Sequence, residues 1–187
     1  IRIFDFLLSL IAIIILFPFS IPLIIFLKFS GEGEIFFTQK RVGINGESFN
    51  LIKFATMLKN SPSIGSGLIT IKNDPRILPH GHFLRRSKIN ELPQLINIFR
   101  GDMSFIGPRP LTLDGYNSYP NHLKPKLKLI KPGLSGLTSL ILRNEEEILS
   151  KVTHPKEFHS SILAPFKAET EVWYSYKRNL VNHLILI

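Results

Sequence analysis

Along this chain the hydrophobic and polar positions fall into blocks. Phe6 to Leu27 carries no charged residue, a length that spans a bilayer as a straight helix. Pro18 and Pro22 fall past its middle with Ser20 between them, and proline removes a helix hydrogen bond and kinks the helix. The run therefore reads either as a kinked spanning helix or as a re-entrant hairpin that enters and leaves by one face. A buried core helix is the third reading and is disfavoured by the length. Arg2 before the run and Lys28, Lys40 and Arg41 after it place cations at both ends, which favours the hairpin with both ends cytoplasmic. The run is too long for a signal peptide, Asp5 stands at its start, and no small-residue cleavage site follows.

Past Lys28 the periods shorten. Ile35 to Thr38 and Ser48 to Phe54 read as strands, with the two-residue hairpin signal Asn45-Gly46 between them. Lys59 to Gly67 is a polar loop, Leu68 to Ile71 a short strand, and Asn73-Asp74-Pro75-Arg76 a turn. A short helix follows. Asn90 suits its N-cap, Glu91 the positive end of its dipole, Pro93 its first turn, and Gly101 the position past its end. Leu92, Leu95, Ile96 and Phe99 form its predicted buried face. Helical pieces are expected between Asp114 and Lys128 around Pro120 and Pro125, and a buried strand at Leu137 to Leu142. Arg143 opens a helix whose Glu145, Glu146 and Glu147 read as a solvated face rather than a metal site. Pro155 to Asn179 is mostly helical with a break at Pro165. Its Phe158, Ile162, Phe166, Val172, Trp173 and Tyr176 suit either a core or a membrane interface.

Composition narrows the partners. The 187 residues carry a formal net charge of +9, which calls for an anion: a nucleic acid, an acidic membrane surface or a phosphorylated substrate. No nucleic-acid module is present, and the cations sit beside the apolar run, so nucleic acid is disfavoured. The absence of cysteine excludes disulfides, thiolate chemistry and a Cys-based zinc site. His80 and His82 read as surface residues of a loop, with no third ligand nearby. The chain does not begin with Met and ends in an apolar run, Leu184 to Ile187, so natural termini further out are expected.

The candidate chemistry lies between Arg85 and Pro110. Cations at Arg85, Arg86 and Lys88 precede the short helix, Glu91 stands at its start, and Arg109 is fixed in Gly107-Pro108-Arg109-Pro110. An arginine fork matches phosphate oxygens, and a proline-bounded turn holds it at low entropic cost. Cations and a carboxylate near a helix start are the parts that hold a metal-bound diphosphate.

The run from Glu91 to Pro110 resembles the signature of the bacterial sugar transferases, the monotopic polyprenyl-phosphate phosphoglycosyl transferases. So do Lys53-Phe54-Ala55-Thr56-Met57, where the family has Lys-Phe-Lys-Thr-Met, Asp74-Pro75-Arg76-Ile77, and Lys131-Pro132-Gly133-Leu134-Ser135-Gly136. The resemblance extends from Asp5 to about Leu186. It implies a phospho-sugar transfer from a UDP-sugar to undecaprenyl phosphate, with Mg2+ as cofactor, in exopolysaccharide or lipopolysaccharide synthesis. Membrane lipid is an expected partner, and so is a second copy in a homodimer. The expected place is the cytoplasmic face of the bacterial inner membrane. The expected fold is α+β: a membrane re-entrant helical hairpin at residues 1–30, then a small cytoplasmic domain at 31–187 of helices with a short β-hairpin or sheet. At the family's Ser-Pro break this chain has Phe17-Pro18.

By position, the resemblance makes Glu91 the catalytic Mg2+ ligand and Lys53, Arg85 and Arg109 the phosphate and substrate contacts. Asn90 stands where the family has the attacking Asp. An amide carries no charge and is not a competent nucleophile there. Three readings stay open: attack by Glu91 with Asp102 or Asp114 helping to hold the metal, direct attack by polyprenyl phosphate, or a non-catalytic member that binds nucleotide sugar or polyprenyl phosphate.

Overall fold

The computed structural model describes residues 1–64 and 74–187, so the strand expected at Leu68 to Ile71 lies outside the described residues. Its first element, α1 (Arg2–Lys28), is one helix with Pro18 and Pro22 inside it. Each proline lacks an amide hydrogen, which costs the carbonyl four residues earlier its helix partner. Ser20 Oγ donates to the Leu16 carbonyl at 2.9 Å within the same stretch. One flank of α1 is covered. Ala12, Ile13 and Leu16 pack on a core of Leu51, Leu95, Ile98 and Met103, and Leu23, Ile24 and Leu27 pack with Phe54 and Leu84. The rest is bare: Ile3, Leu7, Ile11, Ile14, Ile15 and Phe19 are all exposed. The helix is long and apolar enough to cross a membrane, and only 6% of its most apolar window is buried. That exposure removes the buried core helix reading.

The hairpin β1 (Phe36–Val42) and β2 (Ser48–Phe54) is antiparallel, pairing Phe36 with Phe54 and Val42 with Ser48. Asn45 (φ 59°) and Gly46 (φ 79°) adopt the left-handed region, as that dipeptide favours, but the loop between the paired ends Val42 and Ser48 runs from Gly43 to Glu47 and is longer than the two-residue turn expected. Then come α2 (Pro79–Arg86) and α3 (Gln94–Arg100). His80 and His82 thus lie on a helix rather than in a loop, because Pro79 starts one. Gly101 ends α3 at φ 98°, as its sequence position predicts.

A second, parallel pair joins β3 (Ser104–Ile106) to β4 (Gly133–Ser135). Between them lie the short helices α4 (Leu113–Asn117) and α5 (Lys124–Leu127). The two backbones meet at glycines. A Cβ at Gly133 would lie 2.1 Å from Gly107 N, and one at Gly107 would lie 2.4 Å from Lys131 O. No other residue fits such an approach.

After β4 come α6 (Leu137–Ile141), α7 (Glu145–Ser150), α8 (Pro155–Phe158), α9 (Ala164–Lys177) and α10 (Leu180–Ile185). The strand expected at Leu137 to Leu142 is instead α6. The strand's place is taken by β4, and Thr138 N donates to buried Glu171 Oε1 at 3.3 Å, which anchors a helix start. Pro165 does not break the helical run. A π-helical turn at His159–Leu163 leads into α9 with helical backbone throughout, and this wider turn accommodates the proline, which has no amide to donate. Ala164, Ala168 and Val172 of α9 pack with Tyr119, Leu123 and Leu127, while Ile162, Phe166, Trp173 and Tyr176 are exposed. Glu145 is not solvated alone: Lys167 Nζ binds it at 2.6 Å.

Candidate active site

The site is built on one face of the hairpin. In an antiparallel pair, residues directly opposite share a face. Phe37 stands opposite Lys53, Gln39 opposite Leu51, and Arg41 opposite Phe49, so Lys53 and Arg41 project from the same side.

Against this face lies α3, held by Asn97, which is wholly buried. Its Oδ1 accepts from Ile52 N at 3.1 Å, and its Nδ2 donates to Asn50 O at 2.8 Å. The side chain thereby completes the open edge of β2 as a neighbouring strand would. The same Nδ2 donates to Asp102 Oδ2 at 3.1 Å, so Asp102 serves this junction. The buried side of α3 consists of Gln94, Leu95, Asn97 and Ile98. The predicted face of Leu92, Leu95, Ile96 and Phe99 is therefore rotated, because the buried amide had no apolar signature.

A 3₁₀ turn, Ile89–Glu91, precedes α3, and Lys88 enters it at φ 62°. Asn90 is not an N-cap. It lies inside the turn with no capping bond, and Pro93, at the cap's third position, has no amide to donate. Asn90 is buried, and its Oδ1 has no hydrogen-bond partner.

Glu91 points at the hairpin. Its Oε1 accepts from Lys53 Nζ at 2.9 Å, and Arg109 Nη2 stands 4.0 Å from the same oxygen. The Lys53 and Glu91 side chains are mostly buried, at 19% and 15% exposure, whereas Arg109 is 59% exposed. Burial pushes the Glu91 carboxyl up, but Lys53 and Arg109 outweigh it and hold the pKa below the ordinary value. The Lys53 ammonium is lowered by burial, with Glu91 opposing and Arg109 adding to the fall. Lys53, Glu91 and Arg109 are thus brought together as the resemblance implies. Arg85 lies on α2, where its Nη1 is 3.6 Å from Met57 Sδ.

Arg41, read from the sequence only as a flanking cation, belongs to the cluster. Burial, then the nearby Arg109, lowers its guanidinium to about 10, against the pull of Glu91. A correct strand register would have found it, since alternation sets Arg41 and Lys53 on one face. Asn97 offered no such signal. Among the described residues no three His, Cys, Asp or Glu gather as a metal site.

The structure is a mixed fold with two small sheets, one helix long and apolar enough to cross a membrane, and a Lys-Glu-Arg cluster. The whole chain, residues 1–187, matches the family described as bacterial sugar transferase, and it belongs to that family. It is 34% identical over 165 residues to the exopolysaccharide production protein ExoY of Sinorhizobium fredii, covering 81% of this chain and 73% of that protein. It is 34% identical over 168 residues to the undecaprenyl-phosphate galactose phosphotransferase of Salmonella typhimurium, covering 81% of this chain and 34% of that protein. With the UDP-glucose:undecaprenyl-phosphate glucose-1-phosphate transferase of Escherichia coli the identity is 29% over 178 residues, covering 92% of this chain and 37% of that protein. The chain therefore spans most of ExoY and about a third of the two longer relatives.

Proposed function

We propose that this chain is a membrane-held phosphoglycosyl transferase that moves a phospho-sugar from a UDP-sugar to undecaprenyl phosphate. The reaction is the first membrane step of surface polysaccharide or glycoconjugate synthesis, at the cytoplasmic face of a bacterial inner membrane. The observation that carries the reading is a charge imbalance: among the described residues Lys53, Arg41 and Arg109 gather around one carboxylate, Glu91. Uncompensated, partly desolvated cations suit a diphosphate. The names of the Salmonella and Escherichia relatives support the acceptor class, and the Escherichia name supports the donor class.

Mg2+ fits the donor set. Lys53 occupies Glu91 Oε1, and among the described residues no hydrogen bond reaches Oε2. Mg2+ is commonly held by one or two carboxylates together with substrate phosphates, so Glu91 would hold it. Bound there, it supplies neutralisation of the charge that develops on the diphosphate. Arg109, the exposed cation, contacts the phosphate oxygens, and Lys53 keeps Glu91 ionised and aimed. Glu91, already engaged by two cations, is a poor nucleophile, and Asn90 supplies no anion. The attack therefore falls to the acceptor. An oxygen of polyprenyl phosphate bonds to the sugar-bearing phosphorus, the bond to the UMP oxygen breaks, and UMP leaves with the electron pair.

The second reading, a non-catalytic member that holds nucleotide sugar or polyprenyl phosphate, rests on the amide at Asn90. Mg2+-dependent UMP release from a panel of UDP-sugars with polyprenyl phosphate separates the two. Release supports the transferase, and ligand binding without release supports the binding protein.

Helix α1 enters and leaves the membrane by one face in this reading. Both of its ends touch the same domain: Arg2 Nη1 donates to Ile98 O at 2.6 Å, and Leu27 packs with Phe54 and Leu84. The cysteine-free chain allows single cysteines at Ile3 and Phe29. Both are expected to react with an impermeant reagent from the cytoplasmic side only. Labelling of the two from opposite sides would leave a spanning helix.

A further inference from the structure

We propose that Arg41 is a positioning residue, one that sets the backbone of Arg109 for phosphate contact. The inference deepens the transferase reading and depends on it for its functional consequence; the geometry stands by itself.

The segment that carries Arg109 has an unusual limitation. Pro108 and Pro110 have no amide hydrogens, so the backbone there is held mainly through its carbonyls. Three of these are occupied, each by a different neighbour. Pro108 O accepts from Gly133 N at 2.9 Å, and Leu111 O accepts from Val42 N at 2.9 Å. Pro110 O accepts from Arg41 Nη1 at 3.0 Å. Arg41 thus holds the carbonyl that immediately follows Arg109. Its other terminal nitrogen, Nη2, donates to Gln39 Oε1, and Gln39 shares its strand face. The planar fork therefore bridges β1 to the Arg109 segment at a fixed angle, which a single ammonium cannot do.

A purely structural clamp would not need a charge there. Arg41 is largely desolvated, its Nε is buried without a hydrogen-bond partner, and it faces a second cation in Arg109. The repulsion between the two cations is relieved when an anion binds Arg109. Arg41 therefore serves Arg109 through the backbone, and Arg109, 59% exposed, is the cation open to a phosphate.

The test uses the full chain in detergent or nanodiscs, with UDP as the probe in the presence of Mg2+. Affinities are measured for the wild type, Arg41→Gln, Arg41→Lys, Arg109→Gln and the double variant Arg41→Gln/Arg109→Gln. Arg41→Gln is expected to weaken UDP binding on the order of tenfold, Arg41→Lys to match it, and the double variant to be no weaker than Arg109→Gln alone. Losses that multiply, or an Arg41→Lys variant that binds like the wild type, would overturn the positioning role. A second readout needs no ligand. Amide hydrogen exchange at Gly107, Gly133 and Val42, whose amides bond Ser135 O, Pro108 O and Leu111 O, is expected to quicken in Arg41→Gln, and to a lesser degree in Gln39→Ala, while α3 keeps its protection. Unchanged exchange at those amides overturns the inference. If Arg41→Gln loses protection throughout, the comparison rests on Gln39→Ala, which leaves the guanidinium in place. A wild type that binds no UDP counts against the transferase reading, and the exchange data then decide the role of Arg41 alone.

Discussion

Asp5 Oδ1 and His183 Nε2 lie 2.9 Å apart although 178 residues separate them in sequence. Neither side chain sees appreciable solvent. Asp5 Oδ2 also accepts from Ser104 Oγ at 2.6 Å, and Ser104 Oγ accepts from Arg178 Nη2 at 2.8 Å. This knot ties the first turn of α1 and the end of the chain to β3, just upstream of Arg109. Asp5→Ala would leave several buried donors without acceptors. Such groups cost about 1–3 kcal/mol each, so the variant is expected to lose roughly 2–4 kcal/mol of stability. Unfolding by denaturant in detergent measures it, and a stability equal to wild type would mean that the knot is not a fastening.

Asn97 makes a comparable junction inside the domain. Asn97→Ala leaves the Ile52 amide and the Asn50 carbonyl without their partner at a half-buried edge and is expected to cost about 1–2 kcal/mol. Asn97→Asp keeps the acceptor, loses both donated bonds and adds an anion beside Asp102, so it should be no better. Because Ile52 adjoins Lys53, both variants should also weaken nucleotide binding. Full affinity in a destabilised Asn97→Ala protein would show that Lys53 is set by the hairpin alone.

The Glu91 carboxyl titrates below its ordinary value. A depressed carboxylate contributes stability that is complete above the unfolded value of about 4.3 and is lost as pH falls through the folded pKa. Lys53→Met removes a major opposing charge and leaves the burial that pushes the carboxyl up. The acid limb should then move to higher pH, toward the unfolded value. Carbon NMR of the Glu91 carboxyl follows this directly, and an unmoved titration would show that Arg109 and Lys88 hold it down without Lys53.

Arg109→Lys keeps the charge but loses the planar fork. Its position is held by backbone contacts, so the fold should survive with an unchanged melting curve. Turnover should fall on the order of a hundredfold, the range for a lost transition-state donor. Wild-type turnover would show that Arg109 is a structural residue of the turn.

Asn90→Asp supplies an anion beside Glu91, in a buried position whose amide oxygen now lacks a partner. It is expected to raise UMP release and to permit trapping of radiolabelled sugar-phosphate on the protein. The unsubstituted chain should release UMP without trapping label. Label trapped on the unsubstituted chain, and lost in the variant, would show a site rebuilt around Glu91.

The local features of this protein were legible in its residues. The length of α1, the Asn45-Gly46 turn, the end of α3 at Gly101 and the proline-bounded Arg109 all follow from backbone chemistry within a few positions. The resemblance named Lys53, Glu91 and Arg109, which the fold brings together, and Arg85, which it sets on α2 beside Met57. Other features had no local cause. Asn90 is an ordinary cap residue until Pro93 and the turn at Lys88 deny it a donor. Leu137 to Leu142 is apolar enough for a strand, but β4 occupies the pairing edge and Glu171 anchors a helix. Asn97 and Asp5 are polar residues that became buried because distant backbone and side-chain groups satisfy them. Periodicity reports what a residue prefers next to its neighbours. Which polar groups are buried, and which cations share a face, depends on partners tens to hundreds of residues away, and only the folded chain supplies them.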